Sequence, residues 1–278
     1  MSDTKIPLAG VIGAPIAHSR SPILHNHWLK RHGLRGAYIP LHVEQSDLAE
    51  VLAALPKMGF VGCNVTLPHK VSVLNLATSV SDRAALIGAA NTLTFREGGV
   101  IHADNTDGYG FLMNLRQNAP DWSPKDGPAA LFGAGGAARA VITALIEAGV
   151  PEIRLTNRTR ARSEALRKEF GAKIVVYDWV QAGNTLDDAA TVINTTTLGM
   201  EGKAEFRVPL DGLSPGALVT DAIYTPLETT LLRRAREMGC TTVDGLGMLL
   251  HQGVPGFERW FGERPEVDDD TRAAVLRG

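Results

Sequence analysis

The chain has 278 residues, of which 44% are hydrophobic and 21% charged, and its formal net charge is -2. The length exceeds one ordinary core and points to two moderate domains, while the composition excludes a disordered or membrane-embedded chain. So slight a charge gives no whole-chain basic field for nucleic acid, which leaves small-molecule chemistry as the better-supported class.

Short β-prone runs alternate with helix-length amphipathic segments throughout, the rhythm of an α/β fold with largely parallel sheets. Strands are predicted over residues 10–12, 37–43, 61–66 and 100–102, with helices over 22–31 and 48–55; Pro22 suits a first helical turn. Segment 118–128 collects Pro, Gly, Asp and Ser and reads as a surface connection, after which a new βαβ unit opens. That unit is predicted as a strand over 129–132, a helix over 137–148 and a strand over 152–156. Further strands follow over 191–194, 218–222 and 241–243, with a basic amphipathic helix over 228–238.

The N-terminus lacks the apolar run of a signal peptide and no later run has the length of a membrane span, so a cytoplasmic protein without membrane contact is expected. Cys63 and Cys240 belong to no cluster with metal-ligand spacing and are expected to pack as small apolar residues, with no metal site. A homodimer stays open, and no partner protein is implied.

Directly after the 129–132 run stand Gly133, Ala134, Gly135, Gly136, Ala137 and Ala138, which fit G-x-G-x-x-A at the entry to a helix. In that context Gly133 permits a tight turn, Gly135 lets the backbone approach a pyrophosphate and Ala138 allows close helix-strand packing. Helix N-terminal amides then hold the phosphates. Some 20 residues on, where an NAD site carries an acidic residue, stand Asn157, Arg158 and Thr159. Arg158 can pair with a 2′-phosphate, and Arg160 or Arg162 can enlarge the positive pocket, at least one of them being a solvated helix charge. The cofactor implied is NADP.

Four polar clusters stand where loops are expected: His18 to Pro22, Asn64 to Lys70, Ala90 to Thr92, and Asp104 to Gly108. Mostly uncharged donors, they suit a polyhydroxylated small molecule. Oxidising a secondary alcohol needs a proton shuttle at its oxygen, and a lysine steadied by a carboxylate can supply one. Asp104 and Asp107 both compete for the acidic role, and His69 is adjacent to Lys70 but expected to be structural or solvated.

These clusters, the Gly133 turn, Asn157 to Thr159 and Asp244 to Leu249 together resemble the shikimate dehydrogenase family in order and spacing over nearly the whole chain. The resemblance implies two domains: an α/β substrate-binding domain from residues 1–107 and 245–278, and a Rossmann-like NADP-binding domain over 108–244. It implies an enzyme of aromatic amino acid (chorismate) biosynthesis that reversibly reduces 3-dehydroshikimate to shikimate with NADPH.

Residue by residue, Lys70 and Asp107 match the family's catalytic pair, with the identity of the proton carrier left open. Ser19 and Ser21 match the hydroxyls on the substrate carboxylate, with helix capping as the alternative. Asn64, Thr66, Asn91 and Gln252 match groups around the ring hydroxyls. Tyr224 and Met248 resemble residues around substrate and nicotinamide, which residues 194–200 also suit. Gly245 and Gly247 permit the return of the chain. The expected cofactor set is Gly133, Ala134, Gly135, Gly136, Ala137, Asn157, Arg158, Thr159, Arg162, Gly245 and Met248. A quinate/shikimate dehydrogenase with relaxed substrate or NAD use is the nearest alternative, and a noncatalytic NADPH-binding sensor the next.

Overall fold

The computed structural model describes residues 6–278; the expectation about a leader falls largely on residues outside these. The chain forms two units, one running to Gly110 and resuming at Leu249–Gly278, the other Phe111–Met248.

The first unit contains β1 (Leu8–Gly13), α1 (Ser21–Arg31), β2 (Ala37–His42), α2 (Leu48–Ala54), β3 (Gly62–Val65), β4 (Ser79–Val80), α3 (Asp82–Ile87), β5 (Thr92–Arg96), β6 (Val100–Asp104) and the start of α4 (Asp107–Asn118). Its sheet has the order β2-β1-β3-β5-β6-β4. Strand β1 runs parallel to β2 and β3, whereas β5 is antiparallel to both β3 and β6. Since β4 is parallel to β6, only β5 runs against the other strands, and the sheet is largely parallel with one reversed strand. The reason is local: only Glu97–Gly99 joins β5 to β6, and a connection that short forces a hairpin.

Side-chain alternation divides the core of this unit between the two faces of the sheet. Ala9 and Val11 of β1 pack with Ile16, Tyr38 and Trp260, while Ile12 packs with Val43, Leu48 and Leu52. Helix α1 starts with Pro22 in its first turn and buries Leu24, His25, Trp28 and Leu29, the stripe expected of one helix face.

The second unit takes the rest of α4, then β7 (Ala129–Phe132), α5 (Gly136–Ala148), β8 (Ile153–Thr156), α6 (Arg160–Phe170), β9 (Ile174–Tyr177), β10 (Thr191–Asn194), β11 (Leu218–Asp221), α7 (Thr230–Glu237) and β12 (Thr241–Val243). Its sheet, β12-β11-β10-β7-β8-β9, is parallel throughout. The order reverses between β7 and β10, the doubly wound arrangement whose ligands lie at the carboxyl ends of the strands. Ala129 and Leu131 face one buried cluster, Ala130 and Phe132 the other. Burial on both faces is why these strands read as continuous apolar runs.

Helices α8 (Leu246–Phe261) and α9 (Asp269–Arg277) complete the chain. The units divide at 110/111 and 248/249, a few residues beyond the expected 107/108 and 244/245. Phe111, Leu115, Ala119 and Met248 all bury into the core of the second unit, which carries the boundary into helices α4 and α8. For the same reason the new unit opens at Phe111, ahead of the 118–128 connection. Among the described residues no helix is long and apolar enough to cross a membrane, and Cys63 and Cys240 are buried free thiols.

Candidate active site

Lys70 and Asp107 come together in the first unit. Lys70 Nζ donates to Asp107 Oδ2 at 2.5 Å, with the lysine side chain 16% exposed and the aspartate 3%. Asp107 is the first residue of α4, where a carboxylate suits the positive end of the helix dipole. Its second oxygen, Oδ1, accepts from Asn91 Nδ2 at 2.7 Å, and the same amide donates to Gln252 Oε1 at 3.0 Å. Both carboxylate oxygens are thus engaged, while the ammonium has two further N–H donors to offer.

Asn91 is held in turn. Its Oδ1 accepts from Thr92 Oγ1 at 2.9 Å and from the Thr106 amide at 2.8 Å. Asn64 donates to the Asn91 carbonyl at 3.0 Å and accepts from Tyr38 Oη at 2.7 Å. Burial above all, with Cys63 beside it, pushes the Tyr38 phenol well above its ordinary range against an opposing hydrogen bond to Ser21, so Tyr38 stays a donor. Ser21, Tyr38, Asn64, Asn91, Gln252, Asp107 and Lys70 therefore form one continuous chain of contacts. Thr66 lies half-buried just after β3. Tyr38 had no signal in the sequence beyond a polar tip in a β-prone run.

The position that caps α1 is Arg20, which makes no side-chain cap bond, and Ser19 Oγ accepts the amide of Ser21, the first residue of α1, at 3.3 Å. Asp104 does not compete for Lys70: its partners are Ser81, Arg259 and Arg83. His69 is fully buried and bonds the Val43 carbonyl through Nε2 at 2.7 Å, a structural role.

In the second unit Gly133 has φ 112°, and a Cβ there would lie 2.6 Å from Thr195 Oγ1, so the turn requires glycine. Gly135 caps α5 without any side-chain bond, and a Cβ on it would meet nothing within 4 Å. Open space in front of uncapped helix amides is the cradle that a pyrophosphate needs. Ala134 and Gly136 flank that turn and Ala137 lies in the first turn of α5. Ala138 is fully buried against the core, as close helix-strand packing demands.

After β8, Asn157 Nδ2 donates to the Thr159 carbonyl at 2.9 Å and shapes the turn that presents Arg158. Arg158 and Arg162 are exposed and, among the described residues, pair with no carboxylate. Arg160 is held by Glu164 at 2.8 Å and Asp178 at 2.7 Å, which makes it the solvated helix charge of the three. Tyr224 is half-buried between β11 and α7. Gly245 lets two backbone segments meet, since a Cβ there would lie 2.5 Å from the Ile223 carbonyl oxygen, while Met248 packs in the core.

Family models match three stretches: a shikimate dehydrogenase substrate binding domain over residues 11–93, a shikimate / quinate 5-dehydrogenase domain over 116–199 and a shikimate 5'-dehydrogenase C-terminal domain over 245–275. Over 272 residues, 98% of each chain, the protein is 73% identical to a shikimate dehydrogenase (NADP(+)) of Cereibacter sphaeroides. The chain belongs to the shikimate dehydrogenase family. Shikimate 5-dehydrogenase from Thermus thermophilus, solved with NADP(H) and shikimate, is 36% identical with a TM-score of 0.87 over 97% of this chain and 98% of that one. Quinate dehydrogenase from Corynebacterium glutamicum, solved with NAD, reaches a TM-score of 0.90 at 31% identity, covering 98% and 99% of the two chains. Of the expected site residues, only Asp107 and Tyr224 fall outside the three matched stretches.

Proposed function

We propose that the chain reversibly reduces 3-dehydroshikimate to shikimate with NADPH, as a step in aromatic amino acid biosynthesis. The Lys70–Asp107 contact within a set of neutral donors carries the assignment. High identity to a protein named shikimate dehydrogenase (NADP(+)) supports it over a quinate enzyme or a sensor.

When bound, NADP accepts or supplies the hydride. The residues of the second unit hold it: backbone amides at Gly135, Gly136 and Ala137 take the pyrophosphate, and Arg158, with Arg162, Asn157 and Thr159 nearby, takes the 2′-phosphate. Gly245 and Met248 complete that set.

Ser19 and Ser21 receive the substrate carboxylate, and Asn64, Thr66, Asn91 and Gln252 receive the ring hydroxyls. Lys70 stands at the reacting oxygen, because its ammonium retains N–H donors while both oxygens of Asp107 are already occupied. It donates a hydrogen bond to the carbonyl oxygen, the proton gained by that oxygen on reduction comes from the Lys70–Asp107 pair and returns to it on oxidation, and Asp107 fixes the orientation of the lysine.

Steady-state rates for shikimate and quinate, each with NADP and with NAD, test the assignment. Shikimate with NADP should give the highest kcat/KM. Higher values for quinate, or for NAD, would overturn the substrate or cofactor assignment respectively.

A further inference from the structure

Asp104 lies three residues before Asp107 and is 2% exposed, yet its partners lead away from Lys70. Its Oδ1 accepts from Ser81 Oγ at 2.6 Å and from the Asn105 amide at 2.8 Å, and its Oδ2 accepts from Arg259 Nη2 at 2.6 Å. Arg83 approaches the same oxygen at 3.6 Å. The Asp104 carbonyl meanwhile accepts the Asn91 amide at 3.0 Å.

Asn105, fully buried, carries the chain of contacts onward. Its Nδ2 donates to the Ala89 carbonyl at 2.9 Å, and its Oδ1 accepts the backbone amide of Asp107 at 3.0 Å. That amide opens α4, so its anchor sets where the Asp107 carboxylate points. At the far end, Arg259 stands seven residues after Gln252 on α8, two helical turns on and therefore on the same face. Gln252 touches Asn91, which touches Asp107. Arg259 thus fixes α8 at Asp104 on the side from which Gln252 reaches the site.

We propose that Arg259, Asp104 and Asn105 form a positioning relay that holds Asp107 against Lys70. None of the three is a catalytic residue; each acts on the reaction through Asp107. The inference rests on the functional reading above, which assigns Lys70 and Asp107 to the reacting oxygen. Asp104, not Arg259, is the buried member, since the Arg259 side chain is 34% exposed. Arg259 is therefore the member to vary without emptying the core.

The test is shikimate oxidation by the full-length native chain, Arg259→Met and Arg259→Lys, followed by the same Arg259→Met change in an Asp107→Asn background. Thermal unfolding confirms that each variant is folded. Arg259→Met should lower kcat roughly three- to tenfold, about the size of one hydrogen bond lost from the transition state. The KM for NADP should stay native, and Arg259→Lys should recover most of kcat. In Asp107→Asn the Arg259→Met penalty should vanish, because the group being positioned is already gone.

An inactive native chain would overturn the functional reading. With an active native chain, the relay alone is overturned if Arg259→Met keeps native kcat, or if it costs the same factor with and without Asp107.

Discussion

In the first unit the candidate site side chains are paired with one another, from Ser21 and Tyr38 through Asn64 and Asn91 to Asp107 and Lys70. In the second the candidate groups are backbone amides at an uncapped helix start and exposed guanidiniums without a carboxylate partner among the described residues. On the proposed function, the difference follows from the ligands. Ring hydroxyls are distinguished by donor and acceptor geometry, which a preorganised network supplies, whereas phosphates are distinguished by charge, which open amides and free arginines supply.

The largest expected effect would break this separation if it failed. Lys70→Ala and Asp107→Ala should each lower kcat about 10²–10⁴-fold, the range for a positioned proton-transfer group. The Kd for NADPH, measured by fluorescence titration, should remain close to native. A matching loss of NADPH binding would mean that the two tasks are not divided as drawn.

Acid should separate the units next, and in opposite directions. His25, in the first unit, is fully buried and stacked on Tyr38 at 4.0 Å, and burial lowers its pKa from 6.5 to about 3. The unfolded chain takes up that proton first, so this contribution is present above pH 6.5 and is lost as pH falls toward 3. Burial of His251, in the same unit, acts in the same sense and lowers it to about 4.

Asp221, in the second unit, is raised from 3.8 to about 6, chiefly by burial, against hydrogen bonds from the Ile223 amide, Thr229 and Asn194. Here the folded state takes up the proton first, so the buried charge costs stability above pH 6 and the cost is relieved as pH falls toward 3.8. The rise corresponds to about 3 kcal/mol at neutral pH.

Amide-exchange protection should accordingly fall in β1 and α1 between pH 6.5 and about 4 while β10 and β11 hold theirs. Asp221→Asn should flatten the response of the second unit and raise its stability at neutral pH. A native-like pH response in that variant would exclude Asp221 as its source.

The smallest effect sharpens the charge side of the comparison. Arg158→Ala should weaken NADPH binding about tenfold, the lower range for a charge-assisted hydrogen bond at an exposed position, and barely change NADH binding. Rising salt should shrink the difference. An unchanged NADPH/NADH ratio of Kd values would remove Arg158 from the 2′-phosphate contact.

Much of the second unit was legible because its central strands are buried on both faces: 129–132 and 191–194 are buried at every position and coincide with β7 and β10. The glycine turn between β7 and α5 was equally plain, since a positive φ at Gly133 admits little else. Elements with weaker local signals escaped. Strand β4 has two residues, α3 has six, and α6 is so rich in charge that its buried side amounts to Ser163 and Leu166.

Local chemistry by itself determined the α/β rhythm, the dinucleotide turn, the arginine in place of an acidic residue and the clusters of neutral donors, because each is written in a few adjacent residues. Only the tertiary structure decided between Asp107 and Asp104 as the partner of Lys70, placed Tyr38 behind Asn64 and brought Arg259 to Asp104 across 155 residues. The reversed direction of β5 in the first sheet belongs with these. Sequence spacing records which groups are available, but which carboxylate meets which cation depends on how strands and helices far apart in the chain pack together, and buried charges accept only the partners that this packing delivers.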